Sequence, residues 1–344
     1  MTNQDAAVRD AAWTSRAAAA AWEPPDARRW LQLGLAVIWV LDGVLQYQSA
    51  MFSRAFSQLL AHSGPGNPAV IAESVSWAAR IIEHNPMTTN AVFATIQLAL
   101  GLGIAWRSTL RVALAASIVW SVAVWWLGEG LGGVLTGGAS PVNGAPGAVI
   151  LYAVLAVLLW PAAGGRPASF VAGRPLGAGA ARAVWLVLWG SLAYFAMLAV
   201  NRGAQGLHDM IGAMAAGEPG WLASVNRGAA GLLAHRGLPA SVVLAVVLAA
   251  IAVGIFLPAP AARVAVVLAV AVSVASWVVG QDLGTVLAGG ATDVNSGPLL
   301  VLVALAFWPG GASPREPLGT VRGEAAGAGR GEAAGAVPGE EATR

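Results

Sequence analysis

Apolar residues in this chain run in long blocks separated by short polar or glycine-rich breaks, with little of the two-residue alternation of a half-buried strand. Crossing about 30 Å of hydrocarbon takes about 20 residues of helix. Eight blocks approach that length: roughly 30–49, 88–106, 110–129, 146–161, 183–201, 239–257, 262–282 and 296–310. The fourth and eighth are short, and flanking glycine-rich backbone or a locally thinned bilayer is expected to complete them. Two longer excursions, about 50–87 and 202–238, follow the first and fifth blocks. In each, apolar residues at three- and four-residue spacing predict a short amphipathic helix on the outer surface.

The pattern repeats. Residues 111–143 align with 263–295 at an offset of 152 without a gap, with 17 of 33 positions identical. The two long excursions also match, Trp77–His84 against Gly228–His235, and each reaches a proline (Pro86, Pro239) before the next block. A tandem duplication of a unit of about 150 residues follows. Four spans per unit is an even number, so the expected fold is all-α: about eight transmembrane helices as two parallel tandem four-helix repeats, related by an axis along the membrane normal. The expected organisation is an N-terminal tail (1–29), a first repeat (30–165), a second repeat (166–310) and a disordered tail (311–344). Part of the N-terminal tail, around Trp13 and Trp22, reads equally as a surface helix or as a loose segment.

Composition supports the lipid solvent. Charged residues make up 10% and hydrophobic residues 57% of the chain, against about 25% charged in an average soluble domain. All 19 basic residues are arginine. With eight spans, 14 of the 19 fall on the face that carries both termini, which the positive-inside rule makes cytoplasmic. The basic balance is thereby explained without nucleic acid. The absence of cysteine excludes thiolate metal sites, cysteine-ligated clusters and thiol nucleophiles. Trp30, Trp106, Trp125, Trp126, Trp160, Trp277 and Trp308 fall near block ends, as an interfacial aromatic belt does.

Candidate chemistry is sparse. Asp42 lies inside the first block, where a carboxylate is costly unless paired, hydrated or protonated. Gln46 and, less closely, Tyr47 share its side of a helix. This stripe is either an interhelical hydrogen-bond cluster or a site for a ligand, a proton or a quinone headgroup. Glu129 and Asp282 end the third and seventh blocks one alignment position apart, since Glu129 pairs with Gln281. They are either carboxylates at the water boundary or, with Asp42, an acidic vestibule. The glycines at 128–138 read as a helix-packing face that ends in a cap at Gly137-Gly138, or as an unwound segment lining a polar site. Asn143 and Asn295 are candidate helix caps, with Pro146 and Pro298 in the following first turn. His62, His84, His208 and His235 all fall outside the blocks. A surface metal site at the matching His84 and His235 is the less favoured account of that pair. No catalytic residue, metal site or resident cofactor is assigned.

The stretch from Trp39 through Asp42-Gly43, Gln46 and Gln48 to Met51-Phe52 resembles the first span of DoxX-like bacterial membrane proteins. The motif Trp126-Leu127-Gly128-Glu129-Gly130-Leu131-Gly132-Gly133 is similar to one in a group of uncharacterised high-GC bacterial membrane proteins with the same double layout. The resemblance implies a four-helix unit with a long loop after its first helix, and an association with quinone-linked sulfur oxidation or membrane redox complexes. The expected protein is therefore a multi-pass plasma-membrane protein that contacts lipid and accompanies a redox or other complex. It is expected to bind a quinone, lipid or small apolar molecule around Asp42, Gln46, Tyr47, Glu129 and Asp282. A small-solute permease and a scaffold without ligand are the alternatives, and enzymatic activity is not the favoured reading.

Overall fold

A computed structural model describes residues 26–161 and 168–310; the expectations for most of the N-terminal tail and for the tail from 311 lie outside these residues. Among the described residues every regular element is helical. The first half contains α1 (Ala27–Leu45), α2 (Arg54–Ala61), α3 (Ala69–His84), α4 (Pro86–Ala105), α5 (Leu110–Leu127) and α6 (Ala148–Leu158). The second contains α7 (Ala178–Ala196), α8 (Gly206–Met214), α9 (Gly220–Leu233), α10 (Gly237–Gly254), α11 (Ala259–Val279) and α12 (Ser296–Ala306). A few one-turn helices and 3-10 turns join them.

Five helices (α4, α5, α7, α10 and α11) are long and apolar enough to cross a membrane. Only 28–33% of their residues are buried, and side chains such as Val112, Val119, Val187 and Val243 point outward, each at least 64% exposed. Water would penalise such a surface heavily, whereas hydrocarbon is as apolar as the side chains themselves. The helix α1 has 19 residues but carries Arg28, Arg29 and Asp42.

The fourth and eighth blocks are short, as their sequence suggests. Their helices, α6 and α12, have 11 residues each, a rise of about 16 Å, roughly half the hydrocarbon thickness. Pro146-Gly147 and Leu159-Trp160-Pro161 flank α6, and Phe307-Trp308-Pro309-Gly310 follows α12, outside the helices. These two helices pack against each other at the centre of the bundle. Their Leu151, Leu155, Leu158, Leu299 and Val303 are fully buried. Around them, α1 packs on α4 and α5 on α6 in one half; α7 packs on α10 and α11 on α12 in the other.

Glycine allows the closest of these approaches. A Cβ on Gly43 of α1 would lie 2.7 Å from Leu98 Cγ, and one on Gly101 of α4 would lie 2.8 Å from the Ala36 carbonyl oxygen. At one end of the bundle, Asp26 caps α1 by accepting from Arg29 N–H (3.1 Å) and pairs with Arg174 at 2.8 Å. Arg29 in turn donates to the last carbonyls of α4, including Ile104 at 3.0 Å, where a cation suits the negative end of the helix dipole. The excursions contain the expected amphipathic helices. In α3, Ile71, Val75, Ala78, Ala79 and Ile82 form the buried face, which packs over α2 and α5.

The glycine-rich motif is unwound. The α5 helix stops at Leu127, and the chain then makes a left-handed turn with φ of 54°, 59°, 61° and 72° at Gly130, Leu131, Gly132 and Gly133. The second copy makes the same turn at Asp282, Leu283, Gly284 and Thr285, with φ of 47°, 55°, 78° and 56°. An L-residue pays about 1–2 kcal/mol for this conformation, which accounts for three glycines in the first turn. No helix continues to a cap at Gly137-Gly138.

Candidate ligand-binding site

Asp42 is 1% exposed, and its two carboxyl oxygens are held from different halves of the chain. The Tyr152 hydroxyl of α6 donates to Oδ2, and the backbone N–H of Val294, just before α12, donates to Oδ1 at 3.2 Å. The Tyr152 ring packs on Trp39 at a tilt of 37°, with centroids 4.1 Å apart. Trp39 is anchored in turn by donating Nε1–H to Ser117 Oγ of α5 at 3.1 Å. One helical turn beyond Asp42, Gln46 donates to the Thr292 carbonyl at 3.2 Å, and Gln48 donates to that of Ala291 at 3.1 Å. Three side chains of the α1 segment thus hold residues 291–294 as a strap across the first half.

Glu129 follows α5 directly and reaches the start of α6, where its Oε1 accepts from Val149 N–H at 3.2 Å. The exposed amides and positive dipole end of α6 suit a carboxylate there. Trp125, one turn earlier, donates to the Pro146 carbonyl at 2.7 Å. The second copy uses the same construction without the charge: Gln281 Oε1 accepts from Gly297 N–H at 3.1 Å, and Trp277 donates to the Val294 carbonyl at 2.8 Å. Asn295 does cap α12, accepting from Ser296 N–H at 2.6 Å. Asn143 caps nothing, because Glu129 serves α6, which starts two residues beyond Pro146.

These groups surround a cavity of about 700 Å³. Its floor is polar, with Asp42, Gln46, Glu129, Tyr152 and Asp293; its walls are apolar and aromatic, with Phe56, Trp77, Phe93 and Trp120 among them. The amphipathic helices α2 and α3 form one side. Asp293 accepts from Asn295 N–H at 2.7 Å and from Thr292 Oγ1 at 2.9 Å. Burial raises Asp293, against the hydrogen bonds from Thr292 and Asn295.

Of the residues singled out in the sequence, Asp42, Gln46 and Glu129 line this one cavity. Tyr47 does not: it is 59% exposed, with its ring 6.3 Å from that of Phe52. The turn after Gln46 carries it off the inward stripe. Asp282 is buried away from the cavity and accepts from Asn226 of α9. It occupies the alignment position of Gly130, so the one-residue offset turns it toward α9, while Gln281 takes the inward place of Glu129. An acidic vestibule formed by Asp42, Glu129 and Asp282 is therefore not present. Among the described residues no group of three His, Asp or Glu is placed to hold a metal. His84 bonds the Arg80 carbonyl in its own helix, and His235 meets Gln205.

Tyr152 and Asp293 were not singled out by sequence. Each had a signal in the duplication: counted back from the matching Trp160-Pro161 and Trp308-Pro309, Tyr152 stands where the second copy has Leu300, and Asp293 aligns with Pro141.

The fold and site define an all-helical protein with several helices suited to a membrane and an internal polar-floored cavity. No family model, curated protein or solved structure matches the chain.

Proposed function

We propose that this is a multi-pass protein of the bacterial plasma membrane, related to DoxX-like proteins, that binds a small amphipathic or apolar molecule in the cavity above Asp42. The observation that carries the reading is the cavity itself. A space of about 700 Å³ with aromatic walls and a few convergent polar groups is the usual form of a small-molecule site. Eight membrane segments in two parallel tandem repeats fit the recurrence of helix order, the matching left-handed turns and the matching Trp–carbonyl contacts. In this arrangement α1 and the short α6 and α12 join the five long helices. Arginine distribution favours cytoplasmic termini, with the cavity toward the outer face. The ligand classes in view are a quinone, a lipid and a small apolar molecule, and the partner in view is a membrane redox or other complex.

Thermal unfolding of the purified protein in detergent tests this. A saturable rise in melting temperature with a member of a panel of quinones, quinols and lipids is expected. No shift with any of them refutes the reading and leaves a scaffold. A permease function has one specific observation in its favour: the cavity floor is shared between the halves through the 291–294 strap, so movement of one half against the other would open it. Flux into proteoliposomes separates transport from binding.

A further inference from the structure

The balance of charge and hydrogen-bonding groups in the cavity narrows the occupant. Three carboxyl groups, Asp42, Glu129 and Asp293, lie on its floor, and the lining contains no arginine or histidine. The acceptors that remain free are numerous. Gln46 Oε1 and Glu129 Oε2 are buried without a partner. So is Oε1 of Gln97 on the cavity wall, a side chain only 9% exposed with no hydrogen bond to protein. The donors nearest Asp42 and Asp293 are already committed, the Tyr152 hydroxyl to Asp42, the Gln46 amide to Thr292 and the Thr292 hydroxyl to Asp293; the side-chain amides of Gln97, Asn143 and Asn295, elsewhere in the lining, are not. A buried acceptor without a donor costs about 1–3 kcal/mol, so the floor is complementary to a group that brings N–H donors and positive charge. A quinone offers only carbonyl acceptors, and an anionic headgroup would meet the carboxylates. The aromatic walls add faces on which a cation is attracted by the ring quadrupole.

We infer that the cavity takes an amphipathic cation, with an apolar body against Phe56, Phe93 and Trp120 and a primary ammonium head among Asp42, Glu129 and Asp293. This rests on the proposal that the cavity binds a small amphiphile, and sharpens its ligand class.

Three probes that share one apolar body test it: pyrenemethylamine, pyrenemethanol and pyrenecarboxylate, added to the full-length protein in phosphatidylcholine nanodiscs, with protein-free nanodiscs subtracted. Energy transfer from Trp39, Trp77 and Trp120 on the cavity wall reports occupancy. The amine is expected to bind saturably and about tenfold or more tighter than the alcohol, the difference between a charge-assisted and a neutral hydrogen bond. The carboxylate is expected to show no saturable binding. In Glu129→Gln, whose fold is protected because Gln281 makes the same contact in the second copy, the amine should move toward the alcohol while the alcohol is unchanged. Equal affinity of amine and alcohol for the wild-type protein, or an amine affinity unaffected by Glu129→Gln in a variant of unchanged melting temperature, overturns the cation assignment and leaves the amphiphile reading standing. No saturable binding of any of the three overturns both.

Discussion

Replacing Tyr152 by Phe removes one hydroxyl and leaves the ring on Trp39. Asp42 keeps the Val294 amide but loses its side-chain donor. Both residues are 1% exposed, so water does not readily take the vacant place. A hydrogen bond to a carboxylate contributes about 1.5–3 kcal/mol in general, while interhelical hydrogen bonds inside membranes average nearer 0.6 kcal/mol because the unfolded helices find other partners. The complete burial of this pair places it above that membrane average, at about 1.5 kcal/mol. The corresponding fall in melting temperature for a chain of this length is roughly 2–3 °C. Asp42→Leu alone should cost more, because it strands both the Tyr152 hydroxyl and the Val294 N–H. The double variant, Asp42→Leu with Tyr152→Phe, removes the stranded hydroxyl and should be less destabilised than Asp42→Leu alone, with only the Val294 N–H left without its acceptor. The protein contains a precedent: the aligned positions in the second copy are Leu192 and Leu300, both buried in the same core. The assay is a double-mutant cycle on thermal unfolding in detergent. A double variant as destabilised as the sum of the two single variants would refute the argument that the pair acts as a unit. Recovery of stability together with loss of ligand binding would show that the pair is kept for the cavity and not for the fold.

Gly132→Ala should destabilise severely, because its Cβ would lie 2.0 Å from the Pro146 carbonyl oxygen. Gly137→Ala, also at positive φ but with nothing within 4 Å, should cost only about 1–2 kcal/mol of backbone strain; paired melting curves check the contrast. Thr285→Gly, which copies Gly133 into the second turn, should stabilise by roughly 1 kcal/mol as the strain at φ 56° is released; an unchanged or lower melting temperature would count against left-handed strain at that turn.

Much of this was legible in the sequence, because lipid-facing helices need only an unbroken apolar block and the duplication fixes their order. The boundaries of α6 and α12 were not. Hydropathy counts apolar residues whether or not they are helical, and residues 128–147 are too rich in glycine to say where winding resumes. Asp42 and Gln46 were found because polar groups within a long apolar block are rare enough to stand out. Tyr47 was misplaced because helical spacing was extended past Leu45, where α1 ends. Asp282 was misplaced for a different reason: only the left-handed turn decides which way a residue one step out of register points. Trp189 shows what the second copy gave up. Its Nε1 is buried without a partner, where Trp39 has Ser117, because the aligned position in α11 is Ala269.

Val294 is a shared contact point between the halves. Its amide is given to Asp42 in the first, and its carbonyl is taken by Trp277 in the second. A headgroup that competes for Asp42 must weaken its bond to Val294, and so loosens the strap that leads into α12. Reciprocity then runs the other way with the same free energy: whatever shifts α11 and Trp277, whether a neighbouring protein or a change in bilayer thickness, alters the affinity of a cavity that it never touches. Under the proposed function, the duplication thereby yields one copy that would hold the ligand and one that would report on it.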